Sequence, residues 1–367
     1  MKIASILPYK ENYSNKNAGA VSLWVSDFMK YSSYKNNVTV FGHTNARKYL
    51  TKNYVNINLK SINSKISSST KEYSNNIIKN LTKNYFDIVE IHNRPIMVQD
   101  FVKNIESKII LYIHNDPKTM KGSKTKNEKL FLLENVDKIV FISEWIKKQF
   151  FSNLDFSDHN KTEVIYHSID PIKKLSKKKK QIIFVGKLNE AKGYDLFCEA
   201  VDKVLKKNDD WKAFSIGDEK RFQEYYTNKN QINLGLLDNK RALKIFQESE
   251  IAVIPSRWDE PFGRTALESS SRGCATIISN KGGLTETTNH AIILKNLNSA
   301  NIEKEILKLI KNNSLRKKLQ ISGLRNLKHV LKLNSIKIDF MRSTLFPFSN
   351  FNTNNGKLRI LNIYNLA

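Results

Sequence analysis

The sequence predicts an α/β protein built from two Rossmann-like domains. Its first segment follows a βαβ pattern: Lys2–Leu7 and Val38–Gly42 are apolar strands, and Val21–Tyr31 places apolar residues at helical spacing between them. A second unit of strand, helix and strand spans Ile251–Ser279. At 367 residues, the chain is long enough for two such domains with separate cores.

The domain boundaries follow from local composition. Pro171–Lys180 begins with proline, is strongly basic and lacks apolar periodicity, so we expect a hinge between the domains there. The chain after Ile336 contains one more helical pattern, Ile336–Leu345, and then an Asn-rich end, from Phe346 to Ala367, to which we assign no function. The predicted segments are 1–171, 172–180, 181–335 and 336–367.

Two predicted strands of the first domain end in histidine, Ile88–His92 and Ile109–His114. Side chains at the carboxyl ends of parallel strands face a ligand-binding crevice, so both histidines are candidate site residues. The alternative for each is a neutral histidine bonded to the backbone. The Lys-rich segment Asp116–Lys129 is predicted to be a solvated loop, and Ser143 is predicted to cap the helix after the next strand.

The segment Pro255–Glu286 is the most informative part of the second domain. A buried strand leads into a loop that carries Glu260 and ends at Gly263. The helix that follows has Thr265 and Glu268 at the spacing of a capping box. A helix amino terminus at the end of a parallel strand offers free N–H groups to an anion, so we expect a phosphate-bearing ligand here.

This segment resembles the E-x7-E signature of the retaining GT-B glycosyltransferases of family 4. The resemblance rests on Glu260-Pro261-Phe262-Gly263, Glu268, Gly273, and Gly282-Gly283 with Glu286. It implies two Rossmann-like domains that face each other across a cleft. It also implies that Glu260 binds donor-sugar hydroxyls, that Glu268 holds the ribose, and that Phe262, Gly263 and Thr265 approach the donor. Taken singly, Glu268 would only cap its helix and Glu260 would be a solvated loop carboxylate.

The same resemblance extends to other positions. After Gly186, the pair Lys187 and Lys192 matches the element that grips the donor diphosphate, with Lys187 where the family has Arg. His114 matches a position that touches the donor sugar and the acceptor. The remaining candidates are Gly19, Gly235, Leu236 and Arg264 toward the donor and His92 and Asn115 toward the acceptor. At the position of Arg264 the family usually has an aliphatic residue. Arg264 would be either a cation beside the phosphate or a surface charge. Ile336–Leu345 would cross back to the first domain.

The implied reaction is the transfer of a hexose from a nucleotide sugar to a hydroxyl of a glycan or lipid-linked acceptor, with retention of configuration. No cofactor other than this substrate is expected. The chain has no D-x-D motif, so we expect metal-independent transfer. The paired carboxylates would also suit a double-displacement glycosidase, but in the family neither is the nucleophile. The alternatives are a nucleotide-sugar epimerase on the same fold and a basic nucleic-acid-binding protein.

The charge is strongly basic, with 61 Lys and Arg against 35 Asp and Glu, a net +26. It is spread over both halves, which favours a solvated surface first, an anionic membrane surface second, and nucleic acid last. Cys198 and Cys274 lie in apolar contexts and are predicted to be reduced and packed. No apolar run reaches the ~20 residues of a transmembrane helix. We therefore expect a cytoplasmic protein, possibly peripheral at the inner face of the membrane, in cell-surface polysaccharide assembly.

Overall fold

Two parallel sheets organise the molecule, as the sequence predicts. The computed structural model describes residues 1–16, 18–59, 69–219, 228–325, 327 and 331–346. The first sheet has seven strands in the order β3-β2-β1-β4-β5-β6-β7. These strands are β1 Ile3–Ile6, β2 Val38–Gly42, β3 Tyr54–Asn56, β4 Ile88–His92, β5 Lys108–Ile113, β6 Lys138–Phe141 and β7 Thr162–Val164.

Helices cover both faces of this first sheet. Alternate strand residues enter two separate apolar clusters, one containing Val40 and Ile88 and the other Phe41 and Val89. This burial on both faces is the usual state of a parallel sheet. The helices are α1 Ala20–Met29, α2 Ser69–Lys83, α3 Val98–Val102, α4 Lys126–Asn135 and α5 Glu144–Phe151.

The second sheet has six strands in the order β10-β9-β8-β11-β12-β13. Its strands are β8 Lys179–Val185, β9 Lys212–Ile216, β10 Gln231–Asn233, β11 Ser249–Ile254, β12 Ala275–Ser279 and β13 Ile292–Leu294. The helices of the second domain are α6 Tyr194–Lys207, α7 Asn239–Glu248, α8 Arg264–Ser271, α9 Ser299–Lys311 and α10 Asn313–Arg325. The last described helix is α11 Leu331–Thr344. Both cysteines are buried free thiols, as predicted.

The last helix, α11, packs on the first domain. Its Arg342 forms a buried ion pair with Glu90 of β4, at 2.8 Å between Nε and Oε1. Asp339 accepts a hydrogen bond from Ser32 Oγ at 2.7 Å, just after α1. Helix α11 therefore contains all but the last residue of the predicted helix Ile336–Leu345, and it returns to the first domain. The structure describes nothing after residue 346, so most of the Asn-rich end lies outside it.

The prediction of a solvated loop for the Lys-rich segment is correct for Lys118, Lys121, Lys124 and Lys126, which are exposed, but wrong for the end of the segment. Helix α4 begins inside it, with a capping box between Thr125 and Glu128. Lys129 is fully buried, and its ammonium group donates hydrogen bonds to Asn153 Oδ1 and to the carbonyl of Gln149. The sequence pattern suggested solvation because lysine is rarely buried, but these polar partners make burial possible here. No helix in the described part of the chain is long and apolar enough to cross a membrane.

Candidate functional site

The loop after β11 holds Glu260 against the next crossover of the second domain. The amide of Gly283 donates to the carbonyl of Glu260 at 2.7 Å. Gly282 has a φ of 57°, and a Cβ added there would lie 2.3 Å from the Glu260 carbonyl oxygen. Only glycine permits both the left-handed conformation and the close approach. The paired glycines thus fix the position of the Glu260 backbone.

Lys192 reaches this loop from the turn that precedes α6. Its Nζ lies 2.7 Å from Glu260 Oε1, and the Glu260 side chain is 11% exposed. Asn189 caps the turn by accepting from the Lys192 amide at 3.1 Å. Gly193 then takes a φ of 70°, and a Cβ there would lie 1.9 Å from the Pro255 carbonyl oxygen. This close packing brings together two predicted site residues that are 68 positions apart.

Lys187 and Gly186 lie at the carboxyl end of β8, next to this pair. The Lys187 side chain is exposed and forms no ion pair with any described residue. A Cβ added at Gly186 would be in ordinary van der Waals contact with the Phe184 ring at 3.7 Å and with Lys192 Cγ at 4.0 Å. The carbonyl of Gly235 accepts from the Gly217 amide at 3.0 Å, and the adjacent Leu236 is 63% exposed. These predicted donor-side residues therefore line one edge of the sheet.

Helix α8 begins at this edge with Gly263 as its N-cap, at a φ of 94°. The predicted capping box between Thr265 and Glu268 is wrong, because no side chain caps this helix and Glu268 lies in its second turn. Instead, Glu268 Oε1 accepts from Asn239 Nδ2 and from Arg264 Nε, each at 2.9 Å. The first-turn amides of α8 remain without a side-chain cap in the described residues, as an anion site at a helix start requires.

Arg264 is not a surface charge. Its guanidinium is buried between Glu268 of its own helix and Asp27 of α1, which lies 2.8 Å from Nη2. The two neighbouring carboxylates raise the pKa of Arg264 against the opposing effect of burial. Its Nη1 is buried and has no hydrogen-bond partner among the described residues. Arg264 therefore joins the two domains at the side of the candidate donor site.

Three polar side chains form a chain at the ends of β1, β4 and β5. Ser5 Oγ lies 3.0 Å from His92 Nε2, and His92 Nδ1 lies 3.2 Å from His114 Nε2. His114 Nδ1 is buried and has no partner among the described residues. Burial lowers the pKa of His92 to about 3, and it also lowers the pKa of His114. Both rings are therefore neutral near pH 7.

The predicted acceptor contact of His92 needs correction. His92 is fully buried and both of its ring nitrogens are engaged, so it supports His114 from behind and is closed to a ligand in this conformation. Asn115, directly after β5, is exposed at the same edge. The ring of His167, which the sequence did not single out, lies between His114 at 5.8 Å and Phe262 at 5.6 Å, measured between centroids.

Gly19 lies at the amino terminus of α1, where it is the N-cap. A carboxylate of the protein already occupies this helix start: Glu11 Oε1 accepts from the amide of Ser22 at 3.0 Å. A Cβ on Gly19 would lie 2.2 Å from the same oxygen. In this structure Gly19 therefore accommodates Glu11, and the predicted donor contact at this helix start would require Glu11 to move.

Direct hydrogen bonds join the two domains around the candidate site. Ser143 caps α5 as predicted, donating to the Pro261 carbonyl at 2.5 Å and accepting from the Ile146 amide at 3.1 Å. Glu286 of the second domain accepts from the amides of Glu144 and Trp145, each at 2.8 Å. The domains thus meet with Phe262 buried between them. Within the described residues, no three His, Cys, Asp or Glu side chains are grouped as a metal site would need.

Part of the chain matches a known protein family. Residues 167–324 match the family model described as Glycosyl transferases group 1. The candidate glycosyltransferase YtcC of Bacillus subtilis (strain 168) is 25% identical over 333 residues, which cover 80% of this chain and 78% of YtcC.

Solved structures show the same fold over nearly the whole chain. Anabaena HepE in complex with UDP-glucose superposes with a TM-score of 0.73 at 13% identity, covering 94% of this chain and 100% of HepE. WaaG, a glycosyltransferase involved in lipopolysaccharide biosynthesis, has a TM-score of 0.67 at 11% identity, covering 92% and 99%. The chain therefore has the GT-B fold and contains a region that matches the group 1 glycosyltransferases.

Proposed function

We propose that this protein is a retaining glycosyltransferase of family 4 that moves a hexose from a nucleotide sugar to a hydroxyl acceptor. The observation that carries the proposal is the meeting of Lys192 with Glu260 beside the uncapped start of α8. A cation, a carboxylate and free amides at one sheet edge match the phosphate and the hydroxyls of a nucleotide sugar. The likeness to HepE, whose structure contains UDP-glucose, supports the same donor class.

The cations would act mainly on the leaving group. As the bond between sugar and diphosphate breaks, negative charge develops on the diphosphate, and fixed positive groups stabilise it. We expect Lys192, the exposed Lys187 and the amino terminus of α8 to supply these positive groups. We expect transfer to proceed without a divalent metal ion or another cofactor because these groups can supply the positive charge.

Glu260 and Glu268 have different roles in this proposal. Glu260 would accept hydrogen bonds from hydroxyls of the donor sugar, and Glu268 from those of the ribose. His114 presents a buried ring nitrogen without a partner among the described residues, and this nitrogen suits a hydroxyl of the reacting sugar. Retention follows from the family resemblance, in which the diphosphate helps to deprotonate the acceptor on the face that it leaves.

The biological setting we propose is the assembly of a cell-surface polysaccharide on a glycan or lipid-linked acceptor. The likeness to WaaG and the net charge of +26 support it. We expect the protein to work in the cytoplasm, peripherally at anionic lipids to which its positive charge would attract it.

The test is release of nucleoside diphosphate from a panel of UDP-, GDP- and ADP-sugars, with EDTA present. The variants are Glu260→Ala and Lys192→Ala. Lys203→Ala is the matched control, because Lys203 also pairs with a glutamate at 2.7 Å but on the exposed surface of α6. We expect one donor to turn over, both site variants to lose about 10²-fold in turnover, and the control to retain it.

Two outcomes would contradict the transferase. An isomerised donor without net transfer would identify a nucleotide-sugar epimerase on this fold. If no donor is turned over and none binds saturably, a nucleotide sugar is not the substrate of this protein. Base-dependent RNA binding would then support the nucleic-acid alternative.

A further inference from the structure

One guanidinium connects the carboxylate that is proposed to bind the ribose with the other domain. Arg264, at the start of α8, donates from Nε to Glu268 Oε1 at 2.9 Å and from Nη2 to Asp27 Oδ2 of α1 at 2.8 Å. The exposed fractions of the three side chains lie between 8% and 12%. A residue of the first domain is therefore in direct contact with a side chain that holds Glu268.

Glu268 is held through only one of its two oxygens. The bonds from Asn239 Nδ2 and from Arg264 Nε both end on Oε1. No described residue donates to Oε2, so this oxygen can still accept from a ligand hydroxyl. Asn239 belongs to the second domain, whereas Arg264 is itself held by Asp27 of the first. The direction of the open oxygen therefore depends on both domains.

The contact with Asp27 makes Arg264 a firmer support for Glu268. Arg264 and Glu268 are four positions apart on one helix, and a pair of this spacing is a weak constraint because both side chains are long and flexible. Asp27 adds a bond on the same edge of the guanidinium, where Nε and Nη2 lie side by side, and so fixes the plane of the group. Asp27 is also fixed, since its other oxygen accepts from Lys30 Nζ at 2.7 Å.

Arg264 also allows two like charges to lie close together at the domain interface. Asp27 and Glu268 contact the same edge of its guanidinium, and both are largely withdrawn from solvent. Without this shared cation the two carboxylates repel each other, because a partly buried site screens charge poorly. Loss of Arg264 should therefore displace Glu268, and loss of Asp27 should free the Arg264 side chain that orients it.

We propose that Asp27 and Arg264 are positioning residues for Glu268, so that full recognition of the donor ribose requires the domains to be joined at this contact. The inference rests on the proposed transferase function and deepens it. A ribose hydroxyl that donates to Glu268 Oε2 favours the oriented carboxylate and, with it, the contact between Arg264 and Asp27. By thermodynamic linkage, the contact favours binding of the ribose by the same factor.

The test compares the affinities of ribose and deoxyribose ligands, measured by calorimetry on the full chain. The ligands are the nucleoside diphosphate that binds best among UDP, GDP and ADP, its 2′-deoxy and 3′-deoxy analogues, and pyrophosphate, which has no ribose. The variants are Arg264→Leu and Asp27→Ala. Asp27→Ala leaves the pair of Arg264 and Glu268 in place, so it provides the result if Arg264→Leu does not fold. Lys30→Ala is the matched control, because it removes the other partner of Asp27.

We expect wild type to bind the ribose ligand about tenfold more tightly than at least one deoxy analogue, the effect of one hydrogen bond to a carboxylate. Both variants should lower this ratio to about twofold, because Glu268 is then poorly oriented. The affinity for pyrophosphate in both variants, and the ratio in Lys30→Ala, should stay within about twofold of the wild-type values.

The ratio separates positioning from a merely structural role. If both variants lose affinity for ribose and deoxyribose ligands by the same factor, or if Lys30→Ala lowers the ratio as far as they do, the inference is overturned. Equal binding of ribose and deoxyribose ligands by wild type also overturns it, while the nucleotide binding still supports the transferase. No binding of any nucleoside diphosphate contradicts the transferase itself, and this inference falls with it.

Discussion

At the scale of single residues, His92 shows how burial sets protonation. Its pKa is lowered to about 3 by burial and, to a lesser extent, by the charge of Arg342. An unfolded histidine titrates near 6.5, so below that pH the unfolded chain binds a proton that the folded chain rejects. Stability should therefore fall as the pH decreases from 7 toward 5, and His92 should account for about 2 kcal/mol of that loss.

The measurement is urea unfolding of wild type and His92→Asn at pH 7 and pH 5. The variant can be less stable at both values, but its loss between them should be smaller by about 2 kcal/mol. His159→Asn, a histidine outside this cluster, is the control and should keep the wild-type pH dependence. An equal loss in His92→Asn and wild type would show that His92 is not held neutral.

Arg264 allows a second prediction at this scale. Arg264→Leu removes the cation between two carboxylates that are each about a tenth exposed, Asp27 and Glu268. Leaving buried carboxylates without their partner costs about 3 kcal/mol, although Lys30 still pairs with Asp27. Adding Asp27→Asn should recover part of this loss, because the Asp27 carboxylate that lacks its arginine partner is then removed. If the losses of free energy of unfolding of the two single variants simply add in the double variant, as measured by urea unfolding, Arg264 and Asp27 are not directly coupled.

How far the sequence predicts the site depends on where its contacts come from. Glu260, Gly263 and the paired glycines were recognisable because they lie in one short segment, and the strands because their apolar runs are local. Asp27 was missed because its partner Arg264 is 237 positions away. His167 was missed because only the docking of Phe262 against it marks the position. Contacts across the domain interface leave no local pattern.

At the scale of elements, the turn before α6 depends on one glycine. Gly193 and Gly235 share a left-handed conformation, with φ of 70° and 66°. A Cβ on Gly193 would collide with the Pro255 carbonyl oxygen, whereas a Cβ on Gly235 meets nothing within 4 Å. Gly235→Ala should therefore cost only the backbone strain, about 1 kcal/mol.

Gly193→Ala should introduce the same backbone strain and should also displace the turn that precedes α6. We expect a loss of several kcal/mol, roughly 3 or more, and a weaker donor affinity because Lys192 moves away from Glu260. Urea unfolding and UDP calorimetry on both variants provide the measurement. Equal effects of the two substitutions would mean that the contact with Pro255 relaxes without consequence.

At the scale of the whole molecule, one of the contacts that join the domains is between a carboxylate and a helix start. Glu286 bonds two first-turn amides of α5, where the helix dipole favours a negative charge. The contact joins the start of α5 in the first domain to the short helical turn Gly283–Glu286 in the second. Its strength should therefore influence how far the cleft opens.

Glu286→Ala should shift the molecule toward an open cleft. The expected result in small-angle X-ray scattering is a larger radius of gyration without donor, and in kinetics a raised KM, because closure must then be driven by donor binding. Glu144→Ala is the matched control, since Glu144 is exposed beside the same contact. Burial raises the pKa of Glu286, and the charge of Glu144 raises it further. If both variants scatter like wild type, the Glu286 contact does not hold the domains together. If Glu286→Ala opens the molecule but leaves KM unchanged, closure is not coupled to donor binding.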